Sequence, residues 1–114
     1  MEGLYNKIQE YVKMDTEISA EEFLSYYKDV MDMLAADFEQ LTEEGLFQAK
    51  IITSILSANA ETRGKRRTAE TKKFRKIHEK SKFWADAITY RLKKSGLSED
   101  AIKERTAAME KEMQ

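Results

Sequence analysis

With 114 residues the chain has room for one hydrophobic core, burying about two thirds of its unfolded surface, and none for a second domain. The absence of Cys excludes disulfides, a thiolate nucleophile and Cys-based metal sites, and no Pro with only four Gly argues against a strand-and-turn architecture. The composition predicts an all-α protein: residues 1–114 as a single domain, a compact helical bundle of four to five helices.

Leu4, Tyr5, Ile8, Tyr11 and Val12 recur at helical spacing and predict a first helix over about residues 3–14. Ser19-Ala-Glu-Glu22 then reads as a capping box, in which Ser19 accepts from the backbone N–H of Glu22 while the Glu22 carboxylate reaches back. The helix it opens carries Phe23, Tyr27, Val30, Leu34, Phe38 and Leu41 in one narrow sector, which predicts that it runs to about Leu41. Glu21, Asp29, Asp32 and Glu39 lie nearly opposite, giving an apolar front and an acidic back. Thr42 is a candidate N-cap, followed by Glu43 and Glu44 where the helix dipole favours anions. Phe47, Ile51, Ile52, Ile55 and Leu56 make the third helix apolar over a wide arc, the pattern of a central helix.

From Glu61 to Lys73 the apolar pattern fails, with Ala69 its one apolar residue. It resumes at Phe74 and continues through Ile77, Trp84, Ile88 and Leu92, with Ser81 on the same line, before Lys93, Lys94 and Gly96 supply a C-terminal signature. A single helix over residues 43–94 would extend about 78 Å, against a radius of gyration near 13 Å for a domain of this size. A break is therefore expected, at Gly64. The arms, 46–60 and 74–92, should pack as a long central antiparallel hairpin, with residues 61–73 as its exposed basic tip. Ser98 caps a last helix with Glu99 and Asp100 in its first turn. It carries Ala101 and Ile102 and little else apolar before Met109 and Met113, so that end is expected to fray.

The net charge of -1 conceals segregation: residues 1–62 carry 4 Lys/Arg against 13 Asp/Glu, and residues 63–82 carry 10 against 2. Such a field points to a partner. Lys72, Lys76 and Lys80 repel at i, i+4 by about 0.2–0.5 kcal/mol per pair in an isolated helix, and Lys65, Arg66 and Arg67 crowd the positive end of the fourth helix. Local rules broken without visible gain gather at functional sites. The first reading is a non-enzymatic binding or regulatory protein whose tip contacts nucleic acid or a nucleic-acid-containing assembly through counterion release. The candidate residues are Arg63, Lys65, Arg66, Arg67, Lys72, Lys73, Arg75 and Lys76. Phe74 and Trp84 belong to the core stripe, whereas Phe83 and Tyr90 lie on a flanking stripe open to either core or partner. The Ser95-Gly96-Leu97 turn has a helix-turn-helix look, a turn common in helical proteins.

A second reading makes Glu21, Asp29, Asp32 and Glu39 a nucleic-acid mimic seated in a basic groove of a protein partner. Phage-borne inhibitors of nucleases, including those of CRISPR systems, are a functional class of this sort of size and charge, although no motif of such a family is present. A third is self-association, acidic back against basic tip. Catalysis is not expected. His78 reads as a solvated side chain, and the chain lacks paired Glu-x-x-His elements, His-Glu-x-x-His, a P-loop, Gly-x-Gly-x-x-Gly and a Ser–His–acid set. No metal, cofactor or small-molecule substrate is implied. Met1-Glu2-Gly3-Leu4 has no leader character and no apolar run approaches the 18 or so residues of a membrane span, so a cytoplasmic, non-membrane protein is expected.

Overall fold

The computed structural model describes residues 1–113. Among them are five α-helices and no strand: α1 (Glu2–Lys13), α2 (Ala20–Asp37), α3 (Glu43–Gly64), α4 (Thr71–Lys94) and α5 (Glu99–Glu112), with a 3-10 turn at Phe38–Gln40. Ser19, Thr42 and Ser98 cap α2, α3 and α5, each side chain accepting a backbone N–H at 3.1 Å. Gly96 ends the α4 connection at φ +111°, a left-handed backbone that a side chain would strain. The Gly96 N–H donates to Lys93 O at 3.0 Å and the Leu97 N–H to Leu92 O at 3.3 Å, the paired bonds of a Schellman motif.

The long hairpin is present and antiparallel. Lys50 Nζ donates to Thr89 Oγ1 at 2.7 Å, Ser57 meets His78, and a Cβ added to Gly64 would sit 3.5 Å from Arg75 Cγ, so rising numbers on α3 meet falling numbers on α4. α3 is the central helix, contacting α1, α4 and α5. It buries Leu46, Phe47, Ala49, Ile51, Ile52, Leu56 and Ala60, and its buried Thr53 donates back to Ala49 O at 2.8 Å. α4 contributes one line only: Phe74, Ile77, Ser81, Ile88 and Leu92. The bundle measures 43 × 27 × 23 Å with a radius of gyration of 14.0 Å, and no helix among the described residues is long and apolar enough to cross a membrane.

Four local expectations are corrected. α2 stops at Asp37 rather than near Leu41: the chain tightens into the 3-10 turn Phe38–Gln40 and becomes extended at Leu41, and Arg91 of α4 braces that turn, donating to Phe38 O, and to Glu39 O and Leu41 O at 3.0 Å each. Tyr26, not Tyr27, is the fully buried tyrosine of α2, since its hydroxyl finds Leu4 O at 2.7 Å. The capping box is half made: the Glu22 carboxylate accepts from Tyr11 Oη at 2.7 Å instead of turning back to Ser19. α5 continues to Glu112, and Ile102 and Met113 are buried.

Ser81 Oγ is buried without a hydrogen-bond partner among the described residues. Removing an unsatisfied buried hydroxyl and adding helix propensity act in one direction. Ser81→Ala is expected to raise stability by about 1 kcal/mol, read as a higher urea midpoint at unchanged m-value.

Candidate functional site: the hairpin tip and the outer face of α4

The loop between α3 and α4 is narrower than residues 61–73, because α3 runs on to Gly64 and α4 begins at Thr71. Arg63 is thereby withdrawn from the tip. It is 6% exposed, Nη2 donates to Ile18 O at 2.7 Å, and the guanidinium lies 4.7 Å from the Phe23 ring centroid and 5.8 Å from that of Phe74. A guanidinium can leave solvent this way, because two aromatic faces and a carbonyl replace part of its hydration. Arg63 is a structural clamp rather than a contact for an external anion.

Two further cations are matched within the chain. Lys65 lies 3.3 Å from Glu61, and Arg66 makes a two-pronged contact with Glu17, Nη2 donating to Oε2 at 2.9 Å. That hydrogen bond holds the Glu17 carboxyl below its ordinary value of 4.5, outweighing the opposing effect of partial burial, with the Arg63 and Arg66 charges adding to it. Arg67, Lys72, Lys73, Arg75 and Lys76 are exposed, and among the described residues no carboxylate stands within 4.0 Å of any of them. Arg67 adopts φ +42°, a left-handed conformation that Gly or Asn would hold more cheaply. The first turn of α4 contains no acid, and its N-cap Glu70 makes no side-chain capping bond.

The outer face of α4 continues from these cations. At about 100° per residue, Lys72, Lys76, Phe83, Tyr90 and Lys94 fall within about 40° of one another, opposite Ser81 and Ile88. Phe83 is 64% exposed and Tyr90 67%, so the stripe expected to flank the core lies opposite it and is surface. The Phe83 ring contacts Trp84 edge-to-face at 5.8 Å, Trp84 in turn meets Phe38 at 5.3 Å, and Lys94 Nζ lies 5.9 Å from the Tyr90 ring. Trp84 and Phe74 sit with the core, as their positions on the apolar stripe predict.

The acidic set is less concentrated. Glu21 and Asp29 are exposed on α2, Asp32 is paired with Lys28 at 2.8 Å, and Glu39 falls on the 3-10 turn beyond the helix. His78 is not a solvated side chain. Its Nδ1 lies 2.9 Å from both Ser57 O and Ser57 Oγ, and Nε2 lies 3.8 Å from Glu61. The carbonyl only accepts, so Nδ1 carries the proton that makes this bond and cannot take one from Ser57. The trio clasps α3 to α4. Among the described residues no group of three or more His, Cys, Asp or Glu converges on a metal-sized site.

Arg91, Tyr26 and Glu17 were not distinguished by sequence pattern, because each acts on a segment distant in the chain. Compared with known proteins, the chain matches no family model, no curated protein and no solved structure.

Arg63→Ala is expected to cost about 3 kcal/mol of stability, measured by urea denaturation, whereas Lys76→Ala should leave the midpoint in place. Glu17 has its folded-state value lowered, so its pair with Arg66 contributes fully above pH 4.5 and is lost as pH falls below that. Glu17→Gln should remove this acid-side component from a stability–pH profile and should leave Arg66 free.

Proposed function

We propose that this chain is a non-enzymatic helical binding protein whose hairpin tip and adjoining α4 surface contact nucleic acid. The supporting observation is the set of five exposed cations, Arg67, Lys72, Lys73, Arg75 and Lys76, left without a carboxylate partner at the positive end of α4. Their mutual repulsion and the helix dipole both disfavour this placement unless an anion approaches. A phosphate backbone supplies that anion along a line, and each lysine or arginine it meets releases a condensed counterion. Arg67 supports the same reading, since Gly in its place would relieve about 1 kcal/mol of backbone cost and would remove a charge.

Three pairings limit the footprint. Arg63, Lys65 and Arg66 are engaged internally, so the footprint starts at Arg67 and runs into α4. Binding through these cations is electrostatic, and contacts of this kind to phosphate carry no base sequence.

Five contacts on duplex DNA predict a log–log salt slope of about -4.5. In anisotropy titrations at 50 and 200 mM salt, replacing Lys72, Lys73 and Lys76 with Ala should reduce that magnitude by about 2.7. Arg67→Gly should reduce it by about 0.9 while stabilising the fold. A flat salt dependence, or affinity indifferent to all four positions, removes the proposal.

A further inference from the structure

We propose that the preferred ligand of this surface is single-stranded nucleic acid, with unpaired bases stacking on Phe83 and Tyr90 while phosphates meet the lysines around them. This rests on the nucleic-acid reading above and names its substrate class. Two large aromatic rings lie open on one helix face, 64% and 67% exposed, in a protein that buries its other phenylalanines at least in part. They share that face with Lys72, Lys76 and Lys94, and Lys80 stands close beside it. Glu79 lies on the same face one turn before Phe83, and Asp86 stands at its edge between the two rings, so the positive field is strongest toward the tip and beyond Tyr90.

The spacing selects the strand form. Seven residues separate Phe83 from Tyr90, about 10.5 Å along the axis, whereas bases within a duplex strand repeat every 3.4 Å or so. Rings so far apart reach bases of an extended, unstacked strand. A duplex offers these rings no base faces. Aromatic stacking is tolerant of base identity, because every base presents a π-face. Phe83 is held in place by its contact with Trp84, and Lys94 lies by the Tyr90 ring, where it can meet the phosphate of a base stacked there.

The test uses the full chain, a labelled oligothymidylate of about 12 nucleotides and a duplex of equal length. The single strand should bind tighter than the duplex and should change Trp84 emission. Phe83→Ala and Tyr90→Ala should each weaken single-strand affinity by about 5- to 150-fold and leave duplex affinity unchanged. Phe83→Trp should retain binding, whereas Phe83→Leu, which keeps apolar area without a ring, should behave like Phe83→Ala. Circular dichroism checks that helicity is the same in every variant. Wild-type affinity in Phe83→Leu, equal binding of duplex and single strand, or tighter association with phosphatidylserine vesicles than with the strand would each overturn the inference. Lysine-dependent duplex binding with inert ring substitutions would leave the nucleic-acid reading standing and remove only this one. Failure to bind either nucleic acid would remove both.

Discussion

α3 is buried on more than one side, by α1, α4 and α5, and that single demand arranges everything else. A helix apolar over so wide an arc cannot rest at a surface, so its neighbours must each commit an apolar stripe to it. α4 commits a narrow one, Phe74 to Leu92, and the rest of its circumference faces away from the core. The surface proposed to bind nucleic acid is thus what remains of α4 once the needs of α3 are met. Its charge follows, because a helix face that contributes nothing to the core is free to carry residues chosen for another reason.

Much of this was legible from the chain. Ser19, Thr42 and Ser98 announce helix starts because capping depends on residues three apart, and the Phe74–Leu92 stripe announces a buried line because periodicity is equally local. Gly96 announces a stop for the same reason. The errors share the opposite property. α2 gives way early to a turn that Arg91, some 50 residues away in sequence, braces, and Tyr26 rather than Tyr27 is fully buried because Leu4 offers its carbonyl. Arg63 reads as an exposed cation since nothing nearby in sequence shows that Phe23, Phe74 and Ile18 converge upon it. His78 likewise gains its partners from the opposing arm of the hairpin.

Charge segregation was visible as a block, yet only the fold divides that block by role. One arginine braces the core and two cations find internal partners. The remainder face water along with two aromatic rings that stand opposite the buried line of α4. The acidic half is divided in the same fashion: Glu22 serves Tyr11, Glu17 serves Arg66, and Asp32 serves Lys28. Internal pairing thus trims both poles without cancelling either.

The short stretch between α1 and α2 is fastened at two points by the far end of α3, through Ile18 to Arg63 and through Glu17 to Arg66. These ties close loops of more than forty residues, so their formation awaits the docking of the first two helices onto the hairpin. The orientation of the basic turn is accordingly under remote mechanical control. A proteolytic cut or an insertion between residues 14 and 19 would slacken that turn while leaving every one of its cations in the chain.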